Sequence, residues 1–438
     1  MSKVLKIKRF MSFRVLVGFM VLVVSSAALS MRDDFSQSPG ILNQSDGRRL
    51  VPMDLQTVDV RFEMNAETRE IEAVAVVDFV TKDNGRPYFD IKSSVSSLTI
   101  DGSSESPALI ESINDSSHST AFTVINKNLA AGHHKMTMTY VVSQSRYCGF
   151  DEDSNLDCFF FMYDLTERTF FEQYAPSNFE FDRYKMTVTI DITGTSSEHL
   201  VLSNGVLESS GNTFRISFPE YFNTSCFFLH VMPRGQYQVT RGFVSSNNYE
   251  LVVYGQSAQA IQNVYRIAQQ SLEEMTAVFG PSRYRRFLIL VDESFPGGME
   301  FAGGAITNSA AARHEICHSW FARGTMPANG NAGWIDEGIA TWRDENYPSY
   351  PARPATYGGK LGASSPFQRM TPHNAYTDGA TFFGRLHYEL SSTGGLFPLL
   401  RAFHLEYFGK TISSERFLEF INSTTGHDFR FLFSEFVF

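Results

Sequence analysis

The chain has 438 residues, of which 43% are hydrophobic and 14% aromatic, and its formal net charge is -10. This composition excludes general disorder, because it supplies ample apolar surface for a core. The acidic balance argues against a general nucleic-acid-binding protein. The length predicts two domains of about 200 residues each.

Residues 1–31 are predicted to be a signal peptide. Five basic residues precede the apolar run "VLVGFMVLVV", which leads into the small-residue stretch "SSAALS". This order is typical of secretory signals, and it predicts cleavage near Met31. The alternative is an uncleaved membrane anchor, since Val15 to Met31 is only slightly shorter than the ~20 residues of a membrane-spanning helix. In both cases we expect an exported protein: periplasmic, secreted, or membrane-anchored and facing outward.

Residues 32–50 are predicted to be a linker, and residues 51–245 an antiparallel β domain shaped as a saddle or sandwich. Apolar and polar residues alternate in "VDVRFEM", "KMTMTYVV" and "KMTVTIDI". A period of two is typical of half-buried strands. Turn clusters such as "KDNG" and "SNG" separate these strands, which favours hairpin connections.

Cys148 and Cys158 enclose the turn-rich loop "GFDEDSNLD". In an exported chain this pair is expected to form a disulfide, and two free thiols are the alternative. Cys226 and Cys317 have no obvious partner in the sequence.

Residues 246–438 are predicted to form a mixed α and β domain. Apolar residues recur at helical spacing in "AQAIQNVYRIAQQSLEEMTAVFG", and the pair Gly280-Pro281 follows as a stop signal. The next segment, "FLILVDE", is typical of a buried strand and leads into a glycine-rich stretch. From Arg313 onward the pattern is mostly helical with polar loops.

Residues 314–318 read "HEICH", with two histidines four positions apart. On a helix these positions share one face, so both imidazoles can bind one Zn²⁺ while Glu315 lies beside the attacking water. A chance histidine pair on a structural helix is the alternative. A catalytic zinc site needs a third protein ligand, which decides between the two.

Glu337 in "WIDEGIATW" is the candidate third ligand. The segment is predicted to be a second helix, and its tryptophan and isoleucine residues indicate that it is largely buried. A buried carboxylate requires a cation or a metal ion as its partner. The sequence therefore predicts one zinc ion held by His314, His318 and Glu337.

These segments resemble a known family. "HEICHSWF" followed by "WIDEGIATWRD" is similar to the H-E-x-x-H-x-W-F and W-L-N-E-G-F-A segments of aminopeptidase N, puromycin-sensitive aminopeptidase and leukotriene hydrolase, which are gluzincin metallopeptidases. Eighteen residues separate His318 from Glu337, as in the family, and "GGMEF" stands where the family has G-x-M-E-N. The blocks "VLSNG" and "AYTDGATFFGRLHYEL" extend the resemblance.

The resemblance implies a β saddle followed by a thermolysin-like catalytic domain, and it implies roles for residues. His314, His318 and Glu337 would bind zinc. Glu315 would be the general base that activates the attacking water and later moves the proton to the leaving amine. Tyr376 in "YTDG", where the family has Y-x-K-G, would donate a hydrogen bond to the tetrahedral oxyanion.

Glu300 is expected to separate an aminopeptidase from an endopeptidase. A carboxylate beside the scissile bond pairs with a free α-ammonium, so only the first residue of a peptide is placed for attack. Gly298 and Met299 precede it, and the glycine lets the substrate backbone approach closely. The following "GGAIT" resembles the strand that pairs with substrate in the family.

Two further roles come from alignment with the family. A Gln or Glu of the β domain also holds the substrate amine in the family, and Glu167 in "LTERTFF" is the best match, with Glu172 and Gln173 as alternatives. Asp344 stands where the family has a Glu beside the metal ligands, and its side chain is shorter.

Several features depart from the family pattern. Phe301 replaces the family's Asn, and only thirteen residues separate Glu300 from His314, so the rim of the site is expected to differ. Asp336 places an extra carboxylate beside Glu337. The resemblance ends with the catalytic domain, so we expect a short form without the helical C-terminal domain and with a more open substrate cavity.

The leading hypothesis is an exported zinc aminopeptidase that acts on peptides with a free N-terminus, with no nucleic-acid partner. One alternative is a related gluzincin of altered specificity, similar to glycyl aminopeptidase. The other is a catalytically decayed peptide-binding protein. Retention of all three ligands together with Glu315 and Tyr376 favours an enzyme, because a binding protein has no physical need for that full set.

Overall fold

The computed structural model describes residues 40–106, 109–114, 119–145, 147–161, 171–178, 182–244, 247–328, 330–352, 358–363 and 371–438. All of them belong to one compact unit, Asp34–Phe438. The predicted signal peptide (1–31) and Glu167 lie outside the described residues. Within these residues, no helix is both long and apolar enough to cross a membrane.

The first half of the structure, here called the β half, consists of strands and one short helix. Its elements are β1 (Leu42–Asn43), β2 (Arg49–Pro52), β3 (Asp54–Asn65), β4 (Glu70–Thr81), β5 (Arg86–Phe89), β6 (Val95–Ile100), β7 (Ser103–Glu105), β8 (Leu109–Asn114), β9 (Ser119–Val124), β10 (Gly132–Val141), β11 (Cys148–Phe150), β12 (Leu156–Phe160), α1 (Phe171–Tyr174), β13 (Lys185–Thr193), β14 (His199–Ser203), β15 (Val206–Ser210), β16 (Thr213–Ser217) and β17 (Leu229–Pro233).

The largest sheet of the β half has the strand order β15-β16-β13-β3-β4-β10-β6-β7 as far as the chain is described. The three alternating segments predicted from the sequence form β3, β10 and β13, and their apolar positions are buried. This confirms the prediction of half-buried strands. The sheet is antiparallel except between β13 and β3, which pair in parallel.

Two smaller sheets complete the β half, with strand orders β1-β2-β5-β9-β8 and β11-β12-β17-β14. Strands β1 and β2 begin inside the segment predicted to be a linker, because Leu42 and Leu50 pack against Tyr88. Cys148 and Cys158 are directly opposite each other on β11 and β12 and form a disulfide. The cysteine pair is therefore bonded, as expected for an exported chain.

The second half contains a mixed sheet, several helices and a small parallel strand pair. Its elements are β18 (Gln238–Val244), β19 (Tyr249–Gly255), α2 (Ala258–Phe279), β20 (Arg286–Val291), β21 (Gly298–Phe301), β22 (Gly304–Thr307), α3 (Ala312–Phe321), β23 (Thr325–Pro327), α4 (Trp334–Asp344), α5 (Asn374–Glu389), α6 (Phe397–Tyr407), β24 (Lys410–Ile412), α7 (Ser414–Thr425) and α8 (Arg430–Phe436). Short 3₁₀ turns lie at Gly330–Ala332 and Ser391–Thr393.

The mixed sheet has the strand order β18-β19-β20-β22-β21, with β19, β20 and β22 parallel and β21 antiparallel at one edge. It begins at Gln238, ahead of the predicted domain boundary at residue 246. Helix α2 forms where the sequence predicts a helix. The Ser257 side chain caps its first turn, and Gly280, whose φ is 90°, ends it.

The two halves pack together through a cluster of apolar side chains. Phe161, Leu202 and Phe228 of the β half contact Met299 and Phe301 of β21 in this cluster. The strand at the edge of the mixed sheet is therefore fixed by the β half as well as by its neighbour β22. The predicted class, a β domain followed by an α and β domain, is confirmed.

Candidate metal centre

Helix α3 carries the two histidines and the glutamate of the "HEICH" motif. His314 and His318 lie one turn apart on the same face, with ring centroids 4.8 Å from each other. His318 and Glu315 are buried and His314 is partly buried. The helix thus presents two imidazole groups to one point beside its neighbour α4.

Helix α4 brings Glu337 to that point. Glu337 Oε2 lies 3.0 Å from His314 Nε2 and 3.4 Å from His318 Nε2. The ligand atoms of the three residues all lie within 4.8 Å of one another. The structure therefore brings together the three residues that the sequence predicts as metal ligands.

The electrostatics of the three residues are mutually dependent. Burial alone would raise the pKa of Glu337, but the two imidazoles outweigh it and hold that pKa well below its usual value. Burial alone would lower the pKa of His318, but the Glu300 and Glu337 carboxylates raise it to about 9. Without a metal ion, the carboxylate thus holds protons on the imidazoles, which a cation would replace.

The donor set and its spacing fit zinc. Two imidazole nitrogens and a carboxylate oxygen are ligands that zinc takes in catalytic sites, with a fourth position left open. Ligands about 2 Å from a tetrahedral ion lie about 3.3 Å from each other. The observed separations of 3.0 Å and 3.4 Å from Glu337 to the two histidines match this value.

A chain of charged groups orients His314 from behind. Its Nδ1 is 2.7 Å from Asp344 Oδ2, which leaves Nε2 to face Glu337. Arg343 donates to Asp344 over 3.0 Å and to Glu274 of α2 over 2.9 and 2.7 Å. Asp344 therefore reaches the metal ligand despite its short side chain. Arg343 and Glu274 were not predicted from the sequence, in which a basic residue inside an otherwise buried helix was the available signal.

Glu315 packs against the backbone of β21. A Cβ atom placed on Gly298 would lie 2.4 Å from the Glu315 carboxyl carbon, so a larger residue there would displace the Glu315 side chain. Glu315 is 5% exposed, and burial raises its pKa to about 8. The glycine at 298 thus places the candidate general base directly beside the edge strand.

Glu300 of β21 faces the same point. Its carboxylate lies within 4.8 Å of ligand atoms of Glu315 and His318. It is buried, and Arg323 donates to its Oε1 over 2.7 Å. Arg323 was not predicted from the sequence, in which its signal is a basic residue directly behind the apolar end of α3.

The neighbours of Glu300 on the strand belong to the opposite face, since side chains alternate along β21. Phe301 stacks on Phe228 of the β half, with ring centroids 4.1 Å apart and planes 5° from parallel. Met299 joins the same apolar cluster. Phe301 therefore anchors the strand to the β half.

Tyr376 in the first turn of α5 completes this side of the site. Its hydroxyl donates to Glu337 Oε1 over 3.0 Å, and its ring lies over His314 at 6.2 Å. Burial, together with the Glu337 carboxylate, raises the pKa of Tyr376. Helices α4 and α5 approach closely because Gly338 and Gly379 face each other. A Cβ atom on Gly379 would lie 2.9 Å from the Gly338 Cα.

These groups surround a cavity of about 480 Å³ whose lining also includes Thr371 and His373. Glu172, one alternative to Glu167, is buried in the β half, 3.5 Å from the Lys92 ammonium. Within the described residues, neither Glu172 nor Gln173 lines this cavity. Asp336 is buried, and its Oδ1 accepts from the Glu337 backbone N–H over 2.8 Å.

No protein-family model matches the sequence, and a search of the curated proteins finds no match. Among solved structures, the chain has the fold of the M1 zinc metallopeptidases. It is similar to leukotriene A4 hydrolase from Saccharomyces cerevisiae, with a TM-score of 0.63, 12% identity, and coverage of 87% of this chain and 66% of that one. This chain thus spans about two thirds of the yeast hydrolase.

Two other similar structures are M1 zinc metallopeptidases. The chain matches a mutant of the enzyme from Deinococcus radiodurans with a TM-score of 0.60, 12% identity, and coverage of 88% of this chain and 94% of that one. It matches a two-domain M1 zinc metallopeptidase bound to L-arginine with a TM-score of 0.61, 13% identity, and coverage of 85% and 91%. The shared fold therefore includes both halves of this chain.

Proposed function

We propose that the protein is a zinc-dependent aminopeptidase that removes N-terminal residues from peptides. The observation that carries this proposal is the convergence of His314, His318 and Glu337 beside the buried Glu315. Zinc held by these three residues would supply Lewis-acid polarisation of the scissile carbonyl and would lower the pKa of water.

Glu315 acts as the general base of the reaction. It accepts a proton from the attacking water and passes it to the nitrogen of the leaving amine. Its position supports this role, because Glu315 is buried between the two histidines on α3 and lies against the edge strand β21.

Tyr376 stabilises the oxyanion that forms at the scissile carbonyl. Its hydroxyl lies beside Glu337 and keeps its proton at neutral pH, so it is available as a donor. Tyr376 lies on α5 and the two histidines lie on α3. The close contact of Gly338 with Gly379 sets the distance between α5 and α4, the helix that carries Glu337.

Glu300 and the edge of β21 define the substrate. Strand β21 is at the edge of the mixed sheet as the structure describes it, so a peptide can add to it as a further strand. Glu300 then pairs with the α-ammonium of the first residue. The solved structure of the Deinococcus radiodurans mutant with a Tyr-Ser-Ala substrate, which matches with a TM-score of 0.57 and 13% identity, supports a peptide substrate.

We also propose that the protein is exported. The disulfide between Cys148 and Cys158 supports this location, because such bonds persist in oxidising compartments. Comparison of the N-terminal sequence of the secreted or membrane-extracted protein with the full chain tests it. Recovery of the mature form with oxidised cysteines only outside the cytoplasm is expected, and an unprocessed, reduced cytoplasmic protein would contradict it.

The direct test compares hydrolysis of one peptide with a free and with an acetylated N-terminus. We expect release of the first residue from the free peptide only, loss of activity with a zinc chelator, and recovery on adding zinc. Equal rates on the two peptides would indicate an endopeptidase. Absence of hydrolysis by the zinc-loaded protein would indicate a peptide-binding protein. Reporters with different first residues then separate a general aminopeptidase from a glycine-preferring one.

A further inference from the structure

A buried arginine lies directly behind the carboxylate that would receive the substrate amine. Arg323 Nη2 donates to Glu300 Oε1 over 2.7 Å, and Arg323 Nη1 donates to Ser225 Oγ over 2.5 Å. The side chains of Arg323 and Glu300 are 0% and 3% exposed. At such burial the pair is not screened by water, so its geometry is strongly constrained.

Arg323 is itself fixed on several sides. Its backbone N–H donates to the His318 carbonyl over 2.7 Å at the end of α3, and its carbonyl accepts from the Tyr284 hydroxyl over 2.5 Å. Ser225 is held in turn, because its N–H and hydroxyl both donate to Asn223 Oδ1. The guanidinium therefore bridges the β half and the edge strand, while the Arg323 backbone is held at the end of the metal-binding helix.

We propose that Arg323 is a positioning residue for recognition of the free α-amine, acting through Glu300. This inference rests on the proposed aminopeptidase function and deepens it. The hydrogen bond from Arg323 to Oε1 fixes the rotation of the Glu300 carboxylate. Glu300 lines the cavity beside Glu315 and His318. The substrate class is peptides with an unmodified, protonated first residue, as opposed to acylated or otherwise blocked peptides.

The charge balance of the pocket supports this role. Glu300, Glu315 and Glu337 are three buried carboxylates around one small volume, and Arg323 is the guanidinium in direct contact with Glu300. A lysine would replace it only in part, because an ammonium keeps the charge but lacks the planar fork that reaches a carboxylate and a hydroxyl in fixed directions. Loss of Arg323 removes the 2.7 Å contact that orients Glu300 Oε1, so the carboxylate is less well aligned with the substrate amine.

The test measures binding of two probes that differ only in the amine. These are leucine amide and 4-methylpentanamide, titrated calorimetrically into the zinc-loaded mature protein in a Glu315→Gln background that prevents turnover. We expect the parent to prefer leucine amide. Arg323→Met is expected to weaken binding of leucine amide and to leave the affinity for 4-methylpentanamide unchanged. The ratio of the leucine amide affinity to the 4-methylpentanamide affinity should therefore fall by roughly 10 to 100-fold. Arg323→Lys is expected to give an intermediate ratio.

A double variant isolates the path of the effect. Glu300→Gln with Arg323→Met replaces the buried ion pair with an uncharged pair, so it also avoids an unpaired buried charge that would hinder folding. If Arg323 acts through Glu300, the double variant and Glu300→Gln alone have the same affinity ratio, since the two losses are not additive.

The outcomes separate this proposal from the proposed function. If Glu300→Gln lowers the ratio and Arg323→Met does not, Arg323 has no part in amine recognition while the aminopeptidase assignment stands. An equal loss of affinity for both probes in Arg323→Met would show a structural role only and overturn the proposal. If Arg323→Met does not fold, Arg323→Lys takes its place, and an affinity ratio equal to that of the parent would overturn the proposal. A parent without preference for leucine amide overturns both.

Discussion

The metal centre and the edge strand β21 face the same cavity but are built in different ways. The two histidines and Glu337 are placed by the periodicity of α3 and by its packing against α4, both within the second half. Glu300 is placed by contacts from elsewhere, since Phe228 stacks on its neighbour Phe301 and Arg323 links it to Ser225. The proposed cleavage chemistry is therefore built locally, whereas the proposed selection of the peptide end depends on how the two halves meet.

Glu315→Gln tests the metal centre and is expected to have the largest effect of the four variants. The amide cannot accept the proton of water, so kcat should fall by roughly 10³ to 10⁴-fold. Zinc content should not change, because Glu315 is not among the three proposed ligands. Steady-state kinetics with metal analysis on the same preparation checks both, and a variant as active as the parent would remove Glu315 from the mechanism.

Phe301→Ala tests the contact between the halves. Phe301 is 1% exposed and stacked on Phe228, so truncation should lower the free energy of unfolding by about 3 to 5 kcal/mol. Denaturant unfolding measures this loss. Phe431→Ala is the control, because Phe431 is 52% exposed and its truncation should change stability by less than about 0.5 kcal/mol. Equal effects of the two variants would contradict the anchoring role of Phe301.

Gly298→Ala probes the place where the two regions touch. The added methyl group would overlap the Glu315 carboxyl at 2.4 Å and displace the base or the strand, so kcat should fall by about 10²-fold. Zinc affinity should be kept. At Gly40 a Cβ atom meets nothing within 4 Å, so Gly40→Ala should be neutral. Parent-like turnover of Gly298→Ala would show that the strand can withdraw from Glu315 without consequence.

Asp344→Asn should have the smallest effect of the four. The amide keeps the size of the side chain but removes the charge that orients His314, so zinc affinity should weaken by roughly 10 to 100-fold. Competition with a chromophoric chelator measures it. Asp428→Asn serves as the control, since Asp428 pairs with Arg430 at the surface. An unchanged affinity in Asp344→Asn would mean that packing alone orients the histidine.

Features that depend on neighbours in the chain were predictable from the sequence, whereas features that depend on contacts between distant elements were not. Alternation in β3, β10 and β13 and helical spacing in α2 and α3 depend on neighbours in the chain, so these elements were predictable. The "HEICH" spacing placed two ligands, and the buried environment of Glu337 indicated the third. The "GGMEF" segment indicated Glu300, but its ion pair with Arg323 joins residues from different elements, and no pattern along the chain pairs the two. The strand pairing of β18 with β19 ahead of residue 246 is likewise a tertiary feature.

The most direct test of the account is a zinc titration of the metal-free protein and of its Glu337→Gln variant, followed by calorimetry. We expect one zinc ion per chain in the parent and an affinity at least about 10²-fold weaker in Glu337→Gln, because the carboxylate between His314 and His318 is lost. A parent that binds no zinc, or a variant that binds it as tightly as the parent, would contradict the metal centre described above.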